Sequence, residues 1–386
     1  MNLYKTICLL LMLLPVYGFS QTSNEETLYV VDSIPIIEEP KEGFGILTEN
    51  EIDHIVYVKD KELIENSEYN NLDVIVYVFT KAYVQRADSI KIIPTTKRMF
   101  KKQGAWYLKN HSVPYSGRFI DYYLTGLKEG EGFFVNGRLN GIRKLYYPNG
   151  NLSSEIEYVN GYANGQSRNF YENGVLKQDG VFKNGKEIGI WNVYHSNKEL
   201  KQKIHFNEFG EIQGDMYSYY STGELKGVNT YEKGIYKEDK LSDKLFKYYK
   251  ESQDLFRKSE YKNSIKKINK AIELKPNWAE AYFLRGTVKL EDFQFEKAKE
   301  DFEKAITIEP LYMEAYANRA FSILRKYEFK NGQFLTKSRG VLVITSQKNE
   351  IPEEDLNKIC TDLKKAISLG DTNTMVLEAL RTYCSE

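Results

Sequence analysis

Residues 146–165 read YYPNGNLSSEIEYVNGYANG, and this stretch decides how the middle of the 386-residue chain folds. It holds three Asn-Gly pairs, and the residues between them alternate in polarity. Ser154, Ile156 and Tyr158 fall on one side of an extended strand, whereas Glu155 and Glu157 fall on the other. Because Asn-Gly tolerates the positive φ of tight hairpin turns, the stretch predicts short antiparallel strands joined by such turns.

The same phrase recurs through the middle of the chain with a period of about 24 residues. A lone hairpin is marginally stable in water, so each copy needs a neighbour to cover its aromatic face. The spacing therefore predicts a stacked array over residues 93–237, with about five units after a weaker first one. One glycine and one aromatic residue mark each unit: Gly117, Gly141, Gly165, Gly189 and Gly214, each followed five positions later by Tyr122, Tyr146, Phe170, Tyr194 and Tyr219.

The segments GIRKLYYPNGNLSSEIEYVNG (141–161) and GQSRNFYENGVLKQDGVFKNG (165–185) resemble the MORN-repeat variant found in bacterial proteins. The resemblance implies an antiparallel hairpin array and supplies no catalytic residue. Some members of that family carry an antitoxin label, and others are regarded as interaction scaffolds. Two positions depart from the repeat: Lys198 stands where other units have a turn glycine, and Lys128 stands where later units have leucine.

From residue 243 onward the apolar period changes to about 3.6, which predicts helices. Ala271 and Pro276 recur 34 residues later as Ala305 and Pro310, and the surrounding segments resemble tetratricopeptide repeats (TPR). The resemblance implies helix pairs over residues 243–386. The third pair is interrupted by an insertion at about 330–352, where a hairpin is expected on Arg339-Gly340.

In such arrays the first helix of each pair lines a concave groove, and an apolar groove can take a peptide or helix of a partner. The alternative is that the closing helix or the β-repeats fill the groove. The Lys and Asn clamp that some TPR proteins use for C-terminal carboxylates is missing at the corresponding positions. Mapping the repeat onto the chain places six residues on the groove side: Phe246, Tyr249, Phe256, Phe283, Leu290 and Phe321.

Ahead of the repeats, residues 21–92 contain three β-rich runs, LYVVDSIPI, ENEIDHIVYVKD and DVIVYVFTK. They predict a small α/β unit. Their order also resembles part of the plug domain of TonB-dependent receptors, which implies a cell-envelope setting. The fold class expected for the chain is therefore multidomain α+β, with an α/β unit, a β-hairpin array and a helical array.

Residues 1–20 place a single lysine before a short apolar run, which is typical of a secretory signal. We expect export to the periplasm, the cell surface or the medium, and no membrane-spanning segment after cleavage. Cys360 and Cys384 then remain. An oxidising compartment permits a disulfide between them, and two separate thiols are the alternative.

The chain has 54 basic and 54 acidic residues, without the basic surplus that nucleic acid or an anionic membrane requires. Its four histidines show no metal-ligand spacing, and the motifs of nucleophilic or phosphate chemistry are missing. We therefore expect no enzyme activity, cofactor or metal. The leading hypothesis is an exported scaffold that binds other proteins. A toxin-neutralising protein is the alternative, and a glycan-binding or cell-wall protein, suggested by 30 tyrosines, is the second alternative.

Overall fold

The computed structural model describes residues 26–36, 47–65, 67, 72–330, 334–338, 341–344 and 349–384, so the predicted signal sequence lies outside the described residues. The chain divides into two compact units. The first comprises Met1–Trp191 and Glu208–Gly210, and the second comprises Asn192–Asn207 and Glu211–Glu386.

The first unit opens with a four-stranded mixed sheet of order β2-β1-β4-β3, in which only β1 and β4 run parallel. Val30 and Ile75 from its central strands are buried against Ile64, which confirms the expected small α/β unit. The strands are β1 Thr27–Val31, β2 Ile34–Ile36, β3 Ile52–Val58 and β4 Val74–Thr80, and the helices are α1 Lys61–Glu65, α2 Lys81–Val84 and α3 Asp88–Lys91.

Antiparallel hairpins follow, as the 24-residue period predicts. In the first unit they are β5 Met99–Lys102, β6 Ala105–Leu108, β7 Gly117–Tyr122, β8 Lys128–Val135, β9 Arg138–Leu139, β10 Gly141–Tyr146, β11 Leu152–Val159, β12 Tyr162–Phe170 and β13 Leu176–Lys183. Strand β14, Lys186–Tyr194, begins in the first unit and ends in the second. The second unit adds β15 Leu200–Phe206, β16 Gly214–Tyr219, β17 Leu225–Glu232 and β18 Ile235–Tyr236.

Two kinds of turn alternate along these hairpins. At one end, Asn160 and Gly161 have φ values of 52° and 86°, so both central residues are left-handed, as type I′ turns require. At the other end a single glycine, such as Gly150 with φ 85°, closes the turn, and the strand register shifts beside Tyr146. The same shift lies beside Tyr122, Phe170 and Tyr219, so the repeated aromatic residue marks a strand irregularity of the β-bulge kind next to the single-glycine turns.

Lys198 occupies the glycine position of one such turn with φ 76° and donates its backbone N–H to the His195 carbonyl. A non-glycine residue in this conformation stores about 1 kcal/mol of backbone strain. We expect Lys198→Gly to raise the midpoint of urea unfolding and Lys198→Ala to leave it nearly unchanged. Equal midpoints for both variants would show that the turn is unstrained.

The two faces of the β-repeats in the first unit differ in character. On one face Trp191 is 1% exposed and lies directly over Gly180, where an added Cβ would meet the indole at 2.1 Å. On the other face charges face each other across strands. Arg118 and Tyr146 donate to Glu131 at 2.7 Å each, and Lys128 donates to it at 3.1 Å. Burial opposes ionisation of Glu131, but these bonds and the Lys128 charge outweigh it and lower its pKa to about 2.

The second unit ends in a helical array, as the 3.6-residue period predicts, with seven helices among its described residues. They are α4 Lys240–Arg257, α5 Tyr261–Leu274, α6 Ala279–Glu291, α7 Phe295–Ile308, α8 Met313–Glu328, α9 Glu353–Ser368 and α10 Thr374–Tyr383. A hairpin of β19 Phe334–Ser338 and β20 Val341–Ile344 lies between α8 and α9, and its predicted turn residues 339–340 are outside the described residues. No helix in the described part of the chain is long and apolar enough to cross a bilayer.

Candidate partner-binding site

Consecutive helices pair into three repeats, and one ion pair recurs between the two helices of each. In the second repeat Asp301 accepts two hydrogen bonds from Arg285, at 2.9 and 2.6 Å. In the third repeat Asp362 accepts two from Arg319, at 2.8 and 2.7 Å. The first repeat carries the pair with its charges exchanged, Glu251 with Lys267 at 2.6 Å.

The third ion pair shows where the interrupted repeat resumes. Arg285 and Asp301 are 16 residues apart, whereas Arg319 and Asp362 are 43 apart, because the β19–β20 segment lies between the helices of the third repeat. Helices α8 and α9 nevertheless pack as the other pairs do, with Ile323, Ile359 and Leu363 buried between them. The insertion therefore lengthens the connection without replacing the repeat.

The turn between β16 and β17 packs against the helices within the second unit. Tyr220 is fully buried with Ala279 and Ile308; its hydroxyl donates to the Asn277 carbonyl at 3.1 Å and accepts from the Ala279 N–H at 3.2 Å. Burial raises the pKa of Tyr220, so the phenol stays protonated as this geometry needs. Ser221 donates its N–H to the Glu309 carboxylate at 3.0 Å.

The hydrogen bond of Tyr220 to a backbone carbonyl has counterparts within the β-repeats. In the first unit the turn residue Tyr147 donates its hydroxyl to the Phe170 carbonyl of the next hairpin, at 2.7 Å. His195, in the same repeat position of the second unit, bonds the Tyr219 carbonyl through Nε2 at 3.0 Å. At Tyr220 the acceptor is instead a loop between helical repeats, so the helices take the place of the next hairpin.

A cleft of 360 Å³ lies beside this contact, between β17 and helices α4 and α6. Trp278 is buried at its floor, and the ring of Tyr249 packs on it with centroids 5.1 Å apart. Phe246 meets the same indole edge-on at 6.1 Å and is 62% exposed. The lining residues are Ser218, Lys226, Gly227, Val228, Asn229, Ser242, Leu245, Phe246, Tyr249, Lys275, Trp278 and Glu280.

Two lysines and one glutamate give the cleft its charge. The Lys226 ammonium forms an ion pair with Glu280, and the Lys275 ammonium donates to the backbone carbonyl of Lys226. Burial lowers the pKa of Lys275, Glu280 acts against that shift, and Lys226 adds to it. The cleft therefore holds one more positive than negative side chain. Lys226 is paired with a carboxylate, whereas Lys275 donates its hydrogen bond to an uncharged backbone carbonyl.

The six residues expected to line a groove separate into two groups. Phe246 and Tyr249 lie together in the cleft, whereas Phe256 packs beside Tyr261 and Phe283 packs between Phe302 and Tyr312. Phe321 is half-buried against the core of the third repeat.

The prediction that Leu290 lines the groove is wrong. Leu290 is 5% exposed and packs against Ala298 and Phe302, so it belongs to the core between α6 and α7 and lines no open surface. Its position in the repeat pattern indicated the correct helix, but not how far Phe302 closes over it.

The sequence reasoning missed the other half of the cleft. Trp278 and Lys275 lie in the loop KPNW that precedes α6, and Lys226 comes from β17. The tryptophan two residues after a repeat proline was a usable signal. The approach of Lys226 depends on β17 reaching the helices and has no local signature.

The histidines have structural contacts or lie at the surface. His54 stacks on Phe79 at 4.7 Å, and His111 bonds the Lys109 carbonyl. Over the described ranges, no group of three His, Cys, Asp or Glu residues is placed to hold a metal ion.

Cys360 on α9 and Cys384 after α10 form a disulfide, with Cα atoms 5.5 Å apart. Helix α10 covers the third repeat with Val376 and Ala379, so the bond ties the closing helix onto that core. It also closes a loop of 24 residues.

We expect Cys384→Ser to lower the free energy of unfolding by about 3 kcal/mol, because the cross-link restricts the unfolded chain. The measurement is denaturant unfolding of both proteins with and without reductant. Reductant should destabilise the parent protein and leave the variant unchanged. Two reactive thiols in the folded parent protein would contradict the prediction.

Two family models match the chain. Residues 139–160 and 163–184 match the MORN repeat variant, and residues 279–310 match the tetratricopeptide repeat. The chain therefore carries MORN-variant repeats followed by TPR, the second match covering α6 and α7. No curated protein sequence matches it.

Solved TPR structures are similar to the helical part of the chain. The first TPR of Spaghetti (RPAP3), bound to the HSP90 peptide SRMEEVD, is 15% identical with a TM-score of 0.29, over 37% of this chain and 91% of that one. The Arabidopsis OM64 TPR domain has the same identity and TM-score over 37% and 96%. The second TPR domain of human RPAP3, in complex with the HSP70 peptide SGPTIEEVD, is 16% identical with a TM-score of 0.29, over 38% and 99%.

Proposed function

We propose that this chain is an exported, non-enzymatic scaffold that docks a segment of a partner protein in the cleft between β17, α4 and α6. The observation that carries the proposal is Phe246, an aromatic side chain that is 62% exposed while resting on a buried tryptophan. Exposed aromatic residues over a packed apolar floor are typical of binding hot spots. TPR arrays are protein-interaction modules, and neither matching family is catalytic.

Export is supported by two features. The apolar run near the N-terminus has the length and flanking residues of a secretory signal. The Cys360–Cys384 disulfide belongs to an oxidising compartment, since cytosolic thiols are kept reduced. We expect the mature protein to begin at Gln21 and to occur in the periplasm, at the cell surface or in the medium. Mass spectrometry of the protein recovered from cell fractions tests this.

The docking proposal is tested by proximity labelling in the host with the parent protein and two variants. Phe246→Asp places a charge in the cleft, and Leu241→Asp places one on the same helix, at a residue that is 49% exposed and outside the lining. The parent and Leu241→Asp should label the same proteins, and Phe246→Asp should lose the main ones. Identical labelling by all three, with all three folded, would refute docking in this cleft.

A further inference from the structure

We infer that the cleft selects linear peptides in which an apolar side chain stands next to an acidic one, and that the last β-hairpin is part of the recognition surface. This deepens the proposed function and rests on it. The apolar side chain would lie on Phe246, Tyr249 and Trp278, and the side-chain carboxylate would bind the ammonium of Lys275.

The apolar half of the requirement follows from the floor of the cleft. Trp278 is 7% exposed and closely packed, since the Tyr249 ring lies 5.1 Å from it and the Phe246 ring meets it edge-on at 6.1 Å. A rigid aromatic surface loses little conformational entropy on binding, so a partner ring or aliphatic chain gains most of the energy of its burial.

The acidic half follows from the charges. Glu280 already neutralises Lys226, and among the residues that the structure describes no carboxylate lies at ion-pair distance from Lys275. Burial weakens the hydration of that ammonium, which makes an approaching carboxylate more valuable there than at an open surface. A basic peptide would meet two lysines against one glutamate and is disfavoured for the same reason.

The hairpin contributes because Lys226 belongs to β17. The Lys226 carbonyl accepts a hydrogen bond from the Lys275 ammonium, and the Lys226 side chain forms the ion pair with Glu280. A helical array alone would lack this arrangement. Lys275 is the cleft lysine outside the Lys226–Glu280 ion pair, and its one charge fits one internal side-chain carboxylate, so the terminal carboxylate of a peptide is not required.

The test is selection from a phage-displayed library of random linear peptides on the full chain. We expect the enriched peptides to carry Asp or Glu within two positions of an aromatic or aliphatic residue. Synthetic copies should bind equally with a free or an amidated C-terminus and should weaken about tenfold when the acid is replaced by its amide. Peptides enriched in neutral or basic residues, or binding lost on amidation, would overturn the inference.

Two lysine variants distinguish recognition of the acid in the cleft from a general effect of positive surface charge. Lys275→Met keeps the aliphatic stem and removes the cation, so it should abolish the preference for acid over amide. Lys270→Met changes an exposed lysine outside the cleft and should preserve it. An unchanged preference in a folded Lys275→Met protein refutes the inference, whereas failure to enrich any peptide refutes the proposed function itself.

Discussion

Replacement of Tyr220 by alanine is expected to lower the free energy of unfolding of the second unit by about 3–5 kcal/mol. The side chain is 0% exposed, and its removal leaves a cavity between Ala279 and Ile308. It also leaves the Ala279 N–H and the Asn277 carbonyl without their partner. Denaturant unfolding followed by tryptophan fluorescence measures the loss, because Trp278 lies between Asn277 and Ala279 in the affected loop.

Two further variants separate the contributions to this contact. Tyr220→Phe keeps the ring and removes the hydroxyl, so it should cost about 1–3 kcal/mol. Tyr236→Phe removes a hydroxyl from a tyrosine that is 36% exposed, and it should have almost no effect. If Tyr220→Ala unfolded at the same denaturant concentration as Tyr236→Phe, the turn would not be packed against the helices.

Asp362→Ala is expected to destabilise the third helical repeat by about 3–5 kcal/mol. Asp362 is 2% exposed, and Arg319, which it holds through two hydrogen bonds, has a side chain that is only 12% exposed. Removing the carboxylate leaves a buried guanidinium without its counter-charge. The cost of an unpaired buried charge exceeds the cost of losing the pair as a whole.

The double variant Arg319→Met, Asp362→Leu is the control for this prediction. It replaces both charges with apolar groups and should recover most of the stability that Asp362→Ala loses, as measured by thermal unfolding. A surface pair offers a second comparison: breaking Arg257–Asp254, whose side chains are 71% and 48% exposed, should change stability by less than about 1 kcal/mol. A double variant less stable than Asp362→Ala would show that the ion pair itself supplies the stability.

The repeat architecture could be predicted because its causes are local. An Asn-Gly pair allows two successive left-handed residues, and Asn160 and Gly161 adopt them. Alternating polarity places Ser154 and Ile156 on one face of β11, and a 34-residue period places Ala271 and Ala305 in equivalent helices. Turn chemistry and side-chain period act over a few residues, so reading them needs no knowledge of distant contacts.

The candidate site could be predicted only in part. Phe246 and Tyr249 follow from the helical repeat, and the structure places both in the cleft. Leu290 shares that pattern yet is buried, because burial depends on how Phe302 of the neighbouring helix packs over it. A repeat pattern gives the side of a helix that a residue occupies, but not the depth at which a neighbour covers it.

What the sequence determined by itself is therefore the succession of a small α/β unit, β-hairpins and helix pairs, since β-rich runs, turn residues and apolar spacing specify them over short stretches of chain. What only the tertiary structure decided is the contact of Tyr220 with the helices, and with it the meeting of Lys226, Lys275 and Trp278 in one cleft. The physical reason is sequence distance. Lys226 and Lys275 are 49 residues apart, and no local preference encodes which hydrogen-bond acceptor the hydroxyl of the last repeat tyrosine will reach.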